Sequence, residues 1–216
     1  MNPIFLLIIS YLLGAFPSGF LFTKIFAKKN ILEIGWRKSS ASNVFKNVGI
    51  LPGVLTAIFD VGKGALAVFL AKIFKAPLEI QALCGVFAIL GHNWSIFLKF
   101  SGGRGIGTFL GALSLLNFRI FLYSVVPFLF LVFIFDSSIL TIFLLIFSLF
   151  LSFLLGEAKI AKFFILFSLF PIFLKRLSPI GELSLAKKRL ILSRILFDDE
   201  NFHHLFKLTK LKKLRK

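Results

Sequence analysis

The feature that most constrains this chain is how far its apolar stretches run before a charge interrupts them. Ile139–Leu155 carries no charged residue at all. A helix of about 20 apolar residues crosses the ~30 Å hydrocarbon layer of a bilayer, because it satisfies its own backbone hydrogen bonds where water cannot. Over all 216 residues the chain is 58% hydrophobic, with 31 phenylalanines and a mean hydropathy of +0.95. Soluble domains sit nearer about 45–50% apolar. The expectation is an all-α polytopic membrane protein. Its spans fall at roughly 3–24, 50–74, 80–98, 105–118, 120–135, 139–156 and 160–175, a seven-helix transmembrane bundle. The fourth and fifth are short and nearly continuous, and fusing them gives a six-span alternative.

Charge orients the spans. The formal net charge is +17, from 26 Lys+Arg against 9 Asp+Glu. Lys24, Lys28, Lys29, Arg37, Lys38 and Lys46 lie in the first loop, Lys99 and Arg104 flank a later one, and many more follow Lys175. A seven-span path puts these on one face, which the positive-inside rule makes cytoplasmic and leaves the N-terminus outside. Lys159 and Lys162 are then external. Basic loops meeting anionic lipid account for the charge, and nucleic acid is not expected as a partner, since the aromatic residues are lipid-facing phenylalanines. Met1-Asn2-Pro3 leads straight into an apolar run with no cation before Lys24, so the first segment reads as a retained span. Cys84 is the single cysteine and forms no internal disulfide.

The organisation expected is a transmembrane domain over 1–177 and a basic amphipathic cytoplasmic tail over 178–216. In the tail Leu183, Leu185, Leu190, Ile191, Leu192, Ile195 and Leu196 alternate with Lys187, Lys188, Arg189 and Arg194, a pattern suited to lying on anionic lipid.

Four groups of residues could carry chemistry. His92 follows Gly91 near the end of the third span, where a histidine is costly unless paired. It suits a hydrogen-bonding or acid/base role over a phosphate. Gly102, Gly103, Arg104 and Gly105 follow it and open the next helix. Exposed N–H groups, the helix dipole and a guanidinium fork there favour an anion. The spacing is not that of a Walker loop. Asp60 and Lys63 sit i,i+3 on one face of the second span, either as a structural ion pair or as substrate contacts. In the first loop Gly35, Trp36, Arg37, Lys38, Ser39, Ser40, Ser42, Asn43 and Lys46 form either a solvated basic loop or an anion site. No His/Cys/carboxylate cluster has metal-ligand spacing, so no metal and no cofactor is expected.

Taken in order, these groups resemble the acyl-phosphate-dependent glycerol-3-phosphate acyltransferases, small bacterial integral membrane enzymes of phospholipid synthesis. Tyr11-Leu12-Leu13-Gly14-Ala15-Phe16-Pro17-Ser18-Gly19 looks like the family's first-span pattern, and Gly35 to Val44 falls where its first cytoplasmic motif lies. Asp60-Val61-Gly62-Lys63-Gly64 matches well. Gly91-His92 through Thr108 resembles the second motif, with Arg104 in place of the usual lysine. The resemblance implies a seven-span bundle in the bacterial inner membrane, with its site at the cytoplasmic face. It implies transfer of an acyl group from acyl phosphate to glycerol 3-phosphate, giving lysophosphatidate and phosphate. It also implies a functional link to an enzyme that forms acyl phosphate. On this reading Arg104, Gly102, Gly103 and Gly105 bind the leaving phosphate and His92 hydrogen-bonds the donor. Ser42, Asn43 and Lys46 seat the acceptor, joined by Ser138.

The sequence also departs from the family pattern. Trp36, Arg37 and Lys38 stand where the first motif begins Ser-Gly-Asn, Ser40 replaces a glycine, Ser42 a threonine and Lys46 an arginine. The third motif, a His-x-x-Asn-Ile-x-Arg run, is not recognisable. Arg176–Glu182 occupies its place by spacing, and Asp198–His204 resembles it faintly. These departures keep two alternatives open: a homologue that binds phospholipid or phosphate without turnover, and a small membrane transporter using Asp60, Lys63 and His92.

Overall fold

A computed structural model describes residues 2–131, 134, 137–156, 159–177, 191 and 193–195. Among these the chain forms nine α-helices and two single 3-10 turns, with no strand. The helices are α1 (Pro3–Ala15), α2 (Ser18–Ala27), α3 (Ala41–Asn47), α4 (Ile50–Ile73), α5 (Leu78–Asn93), α6 (Ile106–Leu116), α7 (Phe118–Leu131), α8 (Ser137–Leu154) and α9 (Lys159–Leu177). The fold is all-helical, as the composition requires.

The apolar segment at the N-terminus is expected as one span, but it is two helices. Pro17 has no N–H to continue the ladder, and α1 ends at Ala15 before α2 restarts at Ser18. The combined segment Pro3–Ala27, helix α4 and the segment Leu78–Leu98 are long and apolar enough to cross a membrane. The other helices differ in reach. At about 1.5 Å per residue, the 11 residues of α6 extend roughly 16 Å and the 14 of α7 roughly 21 Å. Asn117 separates them, and its side-chain oxygen accepts from the Ile120 N–H at 3.0 Å, capping α7.

Tight backbone packing fixes how α6 sits on α4. A β-carbon at Gly111 would lie 1.9 Å from the Val61 carbonyl oxygen, and one at Gly64 would lie 2.0 Å from that of Thr108. Only glycine permits this approach, as in small-residue contacts between membrane helices. Behind this contact Ile89, Phe109, Leu113, Leu144, Phe164 and Ile165 form the main buried cluster. Phe109 and Phe164 stack at 5.3 Å between ring centres. Large apolar side chains such as Ile58, Phe130, Phe150 and Phe170 remain exposed on the outside, the surface that lipid covers.

The tail expected as an amphipathic helix lies outside the described residues, apart from Ile191 and 193–195. Ser193 and Arg194 are buried, and the Ile195 carbonyl accepts from Arg176 Nη1 at 2.6 Å.

Candidate active site

Asp60 lies in mid-α4 and His92 in the last turn of α5, both buried. Asp60 Oδ1 gathers three partners. Lys63 Nζ is at 2.9 Å, the Ser18 hydroxyl donates at 2.7 Å, and His92 Nδ1 is at 3.4 Å. The i,i+3 spacing of Asp60 and Lys63 is therefore used as an ion pair. Lys63 also donates to the Phe16 carbonyl at 3.2 Å, where Pro17 interrupts the first segment. This network joins α2, α4 and α5 and orients the imidazole from its Nδ1 side.

After α5 the chain doubles back. Ser95 donates from its hydroxyl to the Ala15 carbonyl at 2.5 Å, and Tyr11 donates to the Trp94 carbonyl at 2.7 Å. Asn93 donates to the Pro171 carbonyl in α9 at 3.0 Å. The loop 101–105 then crosses the end of α5. Here the structure differs at Gly103 from the expectation that the loop glycines close their N–H groups around an anion. The Gly103 N–H donates to the His92 carbonyl at 3.1 Å, and the Gly102 carbonyl accepts from the Ser39 N–H at 3.3 Å. A β-carbon at Gly103 would fall 2.1 Å from His92 Nε2. These glycines are needed so that the loop can lie flat on the histidine. Gly105 differs: its φ of +76° starts α6, and it faces a cavity.

That cavity has a volume of about 400 Å³. Asp60, His92, Arg104 and Gly105 line it, as do Ser42 and Ser138. Lys38, Thr141 and Arg176 join them. Ala57, Val61, Ile106, Leu110 and Phe128 supply an apolar wall. The site thus brings together three cations, Lys38, Arg104 and Arg176, and the N-terminus of α6. The one carboxylate on its wall, Asp60, is already paired with Lys63. Such a surface favours an anion at its polar end and an alkyl chain at the other.

Several residues expected at the site stand back from it. Asn43 is fully buried and organises the first loop. Its amide donates to the carbonyls of Lys38 at 2.9 Å and Ile34 at 3.1 Å, and its oxygen accepts from the Trp36 N–H at 3.1 Å. It holds the backbone at Lys38, and does not border the cavity itself. Lys46 stacks on Trp36, with Nζ 4.8 Å from the ring centre. Lys63, Gly102 and Gly103 also lie behind the wall.

Sequence reasoning did not place Arg176, Thr141 or Ser18 at the site. Arg176 is buried in the last turn of α9, donating to the Ser138 carbonyl at 3.0 Å and bonding to Thr141 Oγ1. Its signal was position, since Arg176 opens the stretch that stands by spacing where the third motif lies, but anchoring to lipid headgroups explains a cation at the end of an apolar helix equally well. Ser18 lies within the stretch that looks like the family's first-span pattern, but nothing in that stretch indicates its bond to Asp60. Among the described residues there is no group of His, Cys, Asp and Glu that could hold a metal ion.

Comparison with known proteins gives one consistent result. The family model described as glycerol-3-phosphate acyltransferase matches residues 4–184. A protein named glycerol-3-phosphate acyltransferase 2 from Dehalococcoides mccartyi (strain CBDB1) is 42% identical over 118 residues, 53% of this chain and 56% of that protein. Glycerol-3-phosphate acyltransferase 1 from Deinococcus radiodurans is 39% identical over 117 residues, 54% of this chain and 59% of its own length. The chain spans little more than half the length of these curated relatives. The fold is also that of a crystal structure of PlsY (YgiH), an integral membrane glycerol 3-phosphate acyltransferase in its glycerol 3-phosphate form. That likeness has a TM-score of 0.76 at 22% identity and covers 97% of this chain and 98% of that one. With the family model matched over most of its length and the same helical fold throughout, the chain belongs to the glycerol-3-phosphate acyltransferase family.

Proposed function

We propose that this protein transfers an acyl group from acyl phosphate to the first hydroxyl of glycerol 3-phosphate, releasing lysophosphatidate and inorganic phosphate. The observation that carries the reading is the cavity in which Lys38, Arg104 and Arg176 meet the N-terminus of α6, with Ala57, Val61, Leu110 and Phe128 beyond them. Two phosphates and one acyl chain match that division of polar and apolar wall.

In this reading Arg104 and the first N–H groups of α6 hold the leaving phosphate. His92, oriented by Asp60, hydrogen-bonds the donor phosphate or carbonyl. Lys38 and Arg176 seat the acceptor phosphate with Ser42 and Ser138, and Asn43 sets the loop that carries Lys38. The acceptor oxygen forms an ester bond to the acyl carbon as the bond from that carbon to the phosphate oxygen breaks. The hydroxyl proton leaves with the phosphate. An acyl phosphate already has a good leaving group, so alignment and charge stabilisation supply most of the acceleration.

The same proposal places the chain in the bacterial inner membrane by seven passes, with the N-terminus outside. The cavity then opens on the cytoplasmic side, and residues 178–216 form a basic cytoplasmic tail. A link to an acyl-phosphate-forming enzyme follows from the donor. The test uses purified full-length protein with acyl phosphate and glycerol 3-phosphate, measuring phosphate and lysophosphatidate together. Equal yields of the two products, abolished in Arg104→Ala, support the reading. Phosphate release without lipid product, or no turnover at all, overturns it.

A further inference from the structure

A second cavity, of about 570 Å³, lies at the opposite end of the bundle. It is bordered by Lys72 at the end of α4, Glu79 and Gln81 at the start of α5, Asn117 between α6 and α7, and Lys159 at the start of α9. Lys72 is twelve residues beyond Asp60 on α4, about 18 Å along the axis, so this cavity is distinct from the candidate active site.

Part of this wall has a local explanation. Lys72 Nζ donates to the Leu115 carbonyl at 2.5 Å, satisfying an acceptor at the end of α6. Glu79 in the first turn of α5 suits the helix dipole. Gln81 has no such account. Its side chain is more than nine-tenths buried, and its amide donates to the Ala76 carbonyl at 2.8 Å. Its Oε1 has no partner among the described residues. A buried acceptor without a donor is costly, and Gln81 lines a cavity whose wall also carries two cations and a carboxylate.

We propose that this cavity binds the headgroup of a zwitterionic phospholipid that carries a primary ammonium group. The phosphate lies toward Lys72 and Lys159, and the ammonium lies toward Glu79, donating to Gln81 Oε1. A primary ammonium brings that oxygen an N–H donor, which a trimethylated ammonium lacks, and a glycerol headgroup, although its hydroxyls also donate, lacks the charge that Glu79 takes. The rim indicates a lipid as the source. Phe74, Leu78 and Phe118 stand exposed at this end of the bundle, where acyl chains would cover them. The inference does not depend on the acyl-transfer reading.

The test is lipid retention by the full-length protein released from nanodiscs of equal parts phosphatidylethanolamine, phosphatidylcholine and phosphatidylglycerol, read by native mass spectrometry. Phosphatidylethanolamine is expected to be retained about tenfold over the other two, the scale of a hydrogen bond to a charged group. Gln81→Met removes the acceptor at similar length and is expected to abolish that preference. Lys159→Glu, at an exposed position that leaves the fold intact, weakens retention two- to fivefold, in the range of about 0.2–1 kcal/mol for an exposed pair. Equal retention of all three lipids, or a preference unchanged in both variants, overturns the proposal. So does binding of soluble O-phosphoethanolamine without any lipid preference, which would make the ligand a free metabolite.

Discussion

The two halves of the bundle hold together by different means. From α1 to α6 the helices touch backbone to backbone, and all but two of the 16 glycines, Gly156 and Gly181, lie at or before Gly111. Ser10, Thr56 and Ser114 there bond back to their own helices, but other polar bonds run between elements: Ser18 to Asp60, Lys63 to Phe16, Ser95 to Ala15 and Tyr11 to Trp94. In α8 the hydroxyls turn back on their own helix, as Ser148 to Leu144 and Ser152 to Leu149. Phe143 stacks on Phe147 and Phe163 on Phe167, each pair within one helix. The first half specifies positions, and the second mainly fills space and faces lipid. Asn93 joins them, donating from the end of α5 to the Pro171 carbonyl in α9.

This contrast can be broken by substitution. The largest effect is expected from Asp60→Ala, which strands the Lys63 cation in a buried setting. Thermal unfolding in detergent should show a loss of about 3–5 kcal/mol. Arg104→Ala should leave folding intact and lower kcat/KM for acyl transfer by roughly a hundred- to a thousandfold, as for removal of one oxyanion donor. Equal loss of stability in that variant would mean that Arg104 is structural. Gly111→Ala forces α6 off Val61 and should cost about 1–3 kcal/mol in the same unfolding assay. Asn43→Ala should act mainly on acceptor KM, because the amide sets the loop that carries Lys38 at one remove from the cavity. The smallest effect belongs to the second half. Phe150→Leu on the exposed face of α8 should stay within about 0.5 kcal/mol, since lipid is as apolar as leucine. A larger loss there would show that the second half is more specific than its packing indicates.

The same division decides what could be read from the sequence. The helical fold and the segments 50–74 and 80–98 are legible because bilayer crossing imposes length and apolarity on a continuous stretch. His92, Arg104, Gly105, Asp60, Ser42 and Ser138 meet at one cavity; Gly105 is marked by its place in the glycine loop and the others by the chemistry of their side chains. The glycine loop was misread in part. A glycine that admits an anion and one that admits a neighbouring backbone look identical in sequence, and Gly103 is the second kind. Asn43 and Lys46 were marked by residue type, yet their partners are Lys38, Ile34 and Trp36 within the same loop. Arg176 stands by spacing where the third motif lies, but its bonds to Ser138 and Thr141 depend on how α9 meets α8, a contact between segments far apart that no local pattern encodes.

The interruption at Pro17 has a consequence for how this bundle is aligned. A continuous helix would have consumed the carbonyls of Ala15 and Phe16 internally. Released from that duty, they serve as two adjacent sockets, one receiving the Ser95 hydroxyl and the other the Lys63 ammonium. The loop leading to Arg104 and the helix carrying Asp60 are thereby both indexed to a single kink, so a shift of that kink would move both edges of the polar pocket at once.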